Sequence, residues 1–258
     1  MSWFKRRKTP PAQTPLRILR LAKMPTAIYA VGDIHGQLDL YQDLEAKIVA
    51  DGAAFAGPKL VICLGDVIDR GGQTAQLLDE LQKPMPAGFQ RVVLRGNHEV
   101  MMLKFLEDNA ANTNWLDFGG SETLASYGLS PDGESGFAGD GSNLGYKLEM
   151  AVPQAHRDFL GNLPYGLEVG DLRFAHAGYE LDKPANEQDI ERLTWGPPAA
   201  SDAHSGPETL VHGHLVVPEV EIRQTRINLD LGAYKTGRLA AMRFRPDDSD
   251  RPILISER

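Results

Sequence analysis

Five short apolar runs in this chain each break off into a cluster of carboxylate, amide or imidazole residues set beside glycine. Ala27-Ile28-Tyr29-Ala30-Val31 ends in Gly32-Asp33-Ile34-His35-Gly36, and Leu60-Val61-Ile62-Cys63-Leu64 ends in Gly65-Asp66-Val67-Ile68-Asp69-Arg70-Gly71. Arg91-Val92-Val93-Leu94 leads to Gly96-Asn97-His98-Glu99, and two later runs close on His176-Ala177-Gly178 and His212-Gly213-His214. Uninterrupted apolar runs of this length read as strands buried on both faces. Behind the first run, Leu38, Leu40-Tyr41, Leu44 and Ile48 recur at helical spacing; Leu77-Leu78 with Leu81, and Met101-Met102 with Phe105-Leu106, do the same behind the second and third. These steps are core packing. Strand and helix in alternation define an α/β chain with a mostly parallel sheet, and such sheets place their ligands outside the carboxyl ends of the strands.

The remaining features set limits. A chain of 258 residues with 42% hydrophobic and 24% charged residues is long enough for one large domain and has ordinary globular usage. No stretch approaches the roughly 20 apolar residues of a membrane span. The single cysteine, Cys63, lies inside an apolar run, which points to an inert buried thiol and a reducing, cytoplasmic setting. Residues 1–25 hold seven of the 27 basic residues and no acidic one, and read as a basic flexible arm able at most to graze an anionic membrane through Trp3 and Phe4. The rest carries 20 basic against 35 acidic groups, which argues against a nucleic-acid polymer as partner. Residues 26–258 then form a single domain, in which the Gly-, Ser- and Asn-rich stretch 110–165 is an insertion over the site. Beyond Pro164 the chain is strand-rich: Leu167 to Phe174, Thr209 to Val211, Val220 to Leu229, and Gly237 to Phe244 as a closing hairpin partner. Oligomeric state is left open.

Carboxylate, amide and imidazole together make a mixed N/O donor set, suited to manganese, iron or zinc rather than to calcium or magnesium alone. Asp33 and His35 are two apart and, in extended chain, point to one side. Asp66 is central among the clusters and its two oxygens suit it to bridge two ions, while Asn97 adds a neutral oxygen. A water between two ions becomes a nucleophile near neutral pH. His98, charged and oriented by Asp69, could then protonate the leaving oxygen.

The ordered set GDIHG, GDVIDRG, GNHE, HAG and GH resembles the phosphoprotein phosphatase branch of the calcineurin-like metallophosphoesterases, in particular bacterial members that include serine/threonine phosphatases and symmetrical diadenosine tetraphosphate hydrolases. The resemblance covers residues 26 to about 245. It implies a two-sheet sandwich flanked by helices in four layers, αββα, with the metal site at strand C-terminal ends. It implies two divalent ions, manganese first, one held by Asp33, His35 and Asp66 and the other by Asp66, Asn97, His176 and His214. His98 and Asp69 correspond to the acid dyad, and Arg70 to a phosphate ligand; Arg95 either touches phosphate or orients the site through a salt bridge.

The implied activity is phosphomonoester hydrolysis, foremost of phosphoserine or phosphothreonine in proteins, by direct attack of a metal-bridging hydroxide. Two alternatives stand beside it: hydrolysis of a dinucleoside tetraphosphate or other small phosphoester, and a non-catalytic metal-dependent phospho-ligand receptor. The arginine that often follows the tryptophan in bacterial relatives is missing from Trp195-Gly196-Pro197-Pro198, and Leu215 replaces the threonine of Gly-His-Thr. Arg192 could replace that arginine only if the backbone differs. His212 reads as structural, His156 and His204 as surface residues, and Tyr234 as a rim residue.

Overall fold

Residues 27–31 and 59–63 are buried on both faces because successive side chains of a strand point to opposite sides. Tyr29, Val31, Val61 and Cys63 belong to one core, and Ile28, Ala30, Leu60 and Ile62 to another. The structure, a computed structural model, describes residues 16–129, 144–246 and 250–258. Its strands are β1 (Ile18–Leu21), β2 (Ala27–Val31), β3 (Lys59–Cys63), β4 (Phe89–Val93), β5 (Gly166–Val169), β6 (Leu172–Ala175), β7 (Thr209–His212), β8 (Glu221–Ile222), β9 (Arg226–Asn228), β10 (Arg238–Phe244) and β11 (Ile253–Glu257). The helices are α1 (Leu38–Gly52), α2 (Thr74–Gln82), α3 (Asn97–Glu107), α4 (Gly120–Ser126), α5 (Leu144–Ala151), α6 (Gln154–Gly161), α7 (Ile190–Trp195) and α8 (Ala233–Thr236).

One sheet runs β11-β10-β2-β3-β4, parallel across β2, β3 and β4 and antiparallel at β10 and β11. The other runs β1-β5-β6-β7-β9-β8. Between them lies the core made by Ile28, Ile62 and Leu94 on one side and Leu167, Phe174 and Ile227 on the other. Leu44, Ile48, Leu77, Met102 and Phe105 of α1, α2 and α3 fill the outer face of the first sheet, and Leu193 of α7 packs with Ala175 and Leu210 on the outer face of the second. Helix, sheet, sheet, helix is the four-layer order, and both sheets turn strand ends toward one rim.

Cys63 is wholly buried among these side chains, and burial pushes its thiol up to about 12. Thiolate is the reactive form, so a disulfide-exchange reagent such as DTNB is expected to find no thiol in the native protein and one per chain after denaturation; rapid labelling of native protein would contradict this packing.

Several sequence expectations change. Ile18–Leu21, assigned to a loose arm, is an edge strand parallel to β5, with Ile18 opposite Gly166 and Leu21 opposite Val169. Seven basic residues masked a period-2 pattern in which Leu19 and Leu21 reach the inter-sheet core and Ile18 the outer one. The rest of the arm, residues 1–15, lies outside the described residues. The single strand expected from Leu167 to Phe174 is a hairpin, β5 and β6, that turns at Gly170 with φ +53°. Val220 to Leu229 likewise splits into antiparallel β8 and β9. His156, expected on the surface, is buried: its ring sits between the Tyr127 hydroxyl at 2.7 Å and Asp79 at 3.0 Å and ties α6 to α2. His204, also expected on the surface, is half-buried between Asp182 and Glu208. Within the stretch 110–165, residues 113–126 pack beside the rim as described below, and 130–143 lie outside the described residues.

Candidate metal centre

Each cluster arrives at the rim on its own strand. Asp33 and His35 follow β2, Asp66, Asp69 and Arg70 follow β3, Asn97 and His98 open α3 after β4, and His176 and His214 follow β6 and β7. Asp66 Oδ2 is the hub, 3.3 Å from His176 Nε2, 3.7 Å from His98 Nε2 and 3.8 Å from His35 Nε2. Two donor groups share it: His35, Asp66 and His98, and Asp66, His176 and His214. Asn97 Oδ1 joins the second, 2.9 Å from His176 Nε2 and 3.1 Å from His214 Nδ1. Asp33 borders the second group, with Oδ1 4.0 Å from His176 Nδ1 and Oδ2 accepting the His214 backbone N–H at 3.0 Å.

The backbone is strained where these side chains turn inward. Among the described residues, five non-glycine residues have positive φ, namely His35 (48°), Asp66 (47°), Asp69 (71°), Arg70 (67°) and His214 (69°). Such conformations cost about 1–3 kcal/mol each and persist where surroundings overdetermine them. Glu99 supplies much of that constraint: Oε2 accepts the backbone N–H of Asp66 and Gly96, and Oε1 those of Val67 and Ile68. It clamps the ends of β3 and β4 together. Sequence reading quoted Glu99 within its cluster but gave it no role; its place three residues after Gly96, at the start of a helix, was the available signal.

Two glycines permit close approach: a Cβ on Gly213 would stand 1.9 Å from Asp33 Oδ1, and one on Gly96 2.1 Å from Asp66 Oδ1. Gly213→Ala must therefore displace Asp33. Lower metal content in an otherwise folded protein is the expected result, read by elemental analysis and circular dichroism, and full metal content would overturn it.

Charge follows from the same packing. Burial opposes ionisation of Asp66, but His176 and His98 outweigh it and hold the carboxyl well below the ordinary range. Burial pulls His35 down to about 3 and His214 to about 4, so both rings are neutral, the form in which imidazole binds a metal. Burial, then Asp230 and Asp66, pushes Asp33 well up. Burial also raises Glu99 to about 7, with Asp66 adding to it. Asp230, 2% exposed behind Asp33, was missed by sequence reasoning because Asn228-Leu229-Asp230-Leu231-Gly232 repeats the strand-then-polar pattern without a histidine.

Five buried carboxylates, Asp33, Asp66, Asp69, Glu99 and Asp230, crowd this rim, and Asp33 Oδ1 is buried with no hydrogen-bond partner. An orphaned carboxylate oxygen beside imidazoles is a donor set that fits divalent cations. A cation there relieves the crowding, so ligation and stability are linked. Saturation at about 100 times Kd contributes about 2.7 kcal/mol, and chelation is expected to lower the melting temperature by roughly 5–10 °C for a chain of this size. An unchanged melting curve in EDTA, with metal loss verified, would contradict it.

His98 differs from the other donor side chains in how its ring is held. Nδ1 lies 2.7 Å from Asp69 Oδ2, and Nε2 lies 3.2 Å from Arg70 Nη2. Arginine only donates, so Nδ1–H donates to Asp69 and Nε2 accepts from Arg70. Burial works against a charged His98, but Asp66 and the hydrogen-bonded Asp69 prevail and raise its pKa. Arg70 also stacks on Tyr234, 4.5 Å from guanidinium carbon to ring centre. Tyr234, Phe118 and Trp195 are partly exposed, their rings against His35, His98 and His214 respectively.

Arg95 is the correction within the site. Its guanidinium is buried away from the rim, donating to Tyr165 Oη at 2.9 Å, to Leu160 O at 2.8 Å and to Gly161 O at 2.6 Å. Among the described residues it makes no hydrogen bond to the donor cluster and no salt bridge; it holds the last carbonyls of α6 and Tyr165, just before β5. His212 is wholly buried, with Nδ1 against Gly213 O. Arg192 lies beside Gly178 and Gly196.

Two sheets that pool imidazoles and carboxylates around one shared aspartate, with an arginine and a paired histidine alongside, define a metal-dependent phosphoester hydrolase. The chain belongs to the calcineurin-like phosphoesterases, whose family model matches residues 26–231. Members of that family use divalent metals. The chain is 24% identical over 234 residues to serine/threonine-protein phosphatase 2 of Escherichia coli, covering 84% of this chain and 93% of that one. It is 24% identical over 260 residues to Shewanella-like protein phosphatase 2 of Arabidopsis thaliana, covering 93% of this chain and 60% of the plant protein. Among solved structures, a candidate diadenosine tetraphosphatase superposes with TM-score 0.59 at 19% identity over 93% of this chain and 98% of that one. A cold-active protein-tyrosine phosphatase of a Shewanella species superposes with TM-score 0.54 at 17% identity, over 93% of this chain and 83% of that one. Both structures share the fold. No helix of the described residues is long and apolar enough to cross a membrane.

Proposed function

We propose that the protein is a cytoplasmic dinuclear phosphomonoesterase acting on phosphoserine and phosphothreonine in proteins. The observation that carries this reading is the single carboxylate, Asp66, shared by two donor groups next to the His98–Asp69 pair and Arg70. Asp33, His35 and Asp66 would hold one ion, and Asp66, Asn97, His176 and His214 the other, with manganese the first candidate. Bound there, such ions lower the pKa of water toward neutrality and take up charge on the phosphoryl oxygens.

The side chains do the rest. Arg70 is the guanidinium in contact with the dyad, and its planar fork suits two phosphate oxygens. Turning to phosphate frees His98 Nε2, which then carries the proton that leaves with the alcohol oxygen; the P–O bond breaks, and water supplies the hydroxyl that phosphate retains. Asp69 keeps the His98 ring oriented and favours its charged form.

The exposed apolar border of Phe118, Trp195, Leu215 and Val216 supports a polypeptide flank rather than a chain of phosphates. The relative named serine/threonine-protein phosphatase 2, matched over most of both lengths, supports the same choice. The deciding test compares hydrolysis of a phosphothreonine peptide and diadenosine tetraphosphate by Mn²⁺-loaded protein, with p-nitrophenyl phosphate as a generic substrate and His98→Ala as blank. Faster peptide turnover is expected. Faster nucleotide turnover would replace the reading with a dinucleoside polyphosphate hydrolase, and no turnover with metal bound would leave a phospho-ligand receptor.

A further inference from the structure

Asp69 is gripped on both oxygens by residues that belong to none of the five clusters. Trp115 Nε1 donates to Oδ2 at 2.7 Å, the oxygen that also receives His98 Nδ1 at 2.7 Å. Thr123 Oγ1 donates to Oδ1 at 2.7 Å and accepts the Asp69 backbone N–H at 3.0 Å. Asp69, Trp115 and Thr123 are fully buried.

The segment that carries these two residues is itself anchored to the rim. Arg70 N–H donates to Gly119 O at 3.1 Å, and Ala75 N–H to Ser126 Oγ at 3.1 Å. Trp115 leaves no room for drift: it packs on Phe105 at 4.9 Å between ring centres, and a Cβ on Gly120 would stand 2.5 Å from its ring.

A carboxylate held by one imidazole can rotate about its Cβ–Cγ bond and exchange oxygens. Fixing both oxygens fixes its plane, and so the direction in which His98 Nε2 presents a proton. We propose that Trp115 and Thr123 are positioning residues that lock the Asp69 carboxylate, and through it the His98 ring, for proton delivery to the leaving oxygen. The proposal rests on the general-acid reading of His98. It gives part of the 110–165 stretch a duty in the chemistry in addition to any in substrate choice.

Proton delivery matters in proportion to how poor the leaving group is. The test is therefore kcat and KM of Mn²⁺-loaded Trp115→Phe, Thr123→Val and Thr123→Ser proteins on p-nitrophenyl phosphate, phenyl phosphate and a phosphothreonine peptide. Misorientation of a catalytic group costs up to about 100-fold. Trp115→Phe and Thr123→Val are expected to lose about tenfold or more in kcat on the peptide, much less on p-nitrophenyl phosphate, with KM little changed and Thr123→Ser near wild type. Thr123→Val is close in shape to the native residue and keeps the test available where Trp115→Phe unfolds.

A second readout needs no metal and no turnover: the downfield Nδ1–H proton resonance of His98 in the metal-free protein should weaken in both variants and persist in Thr123→Ser. Equal rate losses on all three esters, or an unchanged resonance, would overturn the proposal. If His98→Ala itself loses rate equally on all three, the acid reading fails and the proposal falls with it. If His98→Ala shows the leaving-group dependence and the two variants do not, the proposal alone fails.

Discussion

Asp66→Ala protein is expected to lose bound metal and activity together. Asp66 Oδ2 is within 3.8 Å of three imidazoles from three different strand ends, and both donor groups need it. Losing it leaves each group with imidazoles and, on one side, Asn97. Residues that merely orient a ligand contribute about 10–100-fold to metal affinity, so a shared carboxylate ligand should contribute at least the upper end, about 100-fold. Elemental analysis after desalting should find less than one ion per chain where the proposed centre of the wild type would keep two, with kcat falling alongside. Far-UV circular dichroism guards against unfolding, and Asp66→Asn, which keeps an oxygen but not the charge, should be intermediate. A metallated Asp66→Ala protein would remove Asp66 from the shared position.

The parts of this centre that were legible in the sequence share a physical origin. Asp33, His35, Asp66, Asn97, His98, His176 and His214 each sit just past a run apolar enough to be a buried strand, and the sheet then carries them to a common rim without further information. Glu99, Asp230, Trp115 and Thr123 were not legible as participants. Their roles depend on which backbone N–H or carboxylate lies across the gap, a matter of tertiary distance rather than spacing. Trp115 is 46 residues from Asp69 along the chain and 2.7 Å away in space.

Arg95 fails for the opposite reason. It abuts a cluster in sequence, but past the end of β4 its side chain turns to the carbonyl oxygens of residues 160 and 161. The fold errors are of the same kind. Ile18–Leu21 hid its alternation under Arg17, Arg20 and Lys23, and one of those charges, Arg20, pairs with Glu168 on the neighbouring strand. A strand whose charges are satisfied by its partner reads as a loose basic arm when the partner is unknown.

His98→Ala is the variant that separates chemistry from metal binding. The ring is 1% exposed and lies next to the proposed ligand Asn97, yet its two nitrogens are engaged by Asp69 and Arg70. That geometry favours proton traffic over ligation. A positioned general acid contributes about 10²–10⁴-fold, so kcat on a phosphothreonine peptide should fall within that range while the protein retains its metal. Because Asp66 and Asp69 raise the His98 pKa against burial, the proton-bearing form survives to a pH above the ordinary histidine value and is lost as pH rises through the folded pKa. Wild-type kcat should therefore decline on the alkaline side, and His98→Ala should lack that limb. Asp69→Asn should shift it downward, since the partner that favours the charged ring has become neutral. Metal loss in His98→Ala would make the first donor group in fact a ligand set of His35, Asp66 and His98. A wild-type rate with metal retained would remove His98 from the reaction.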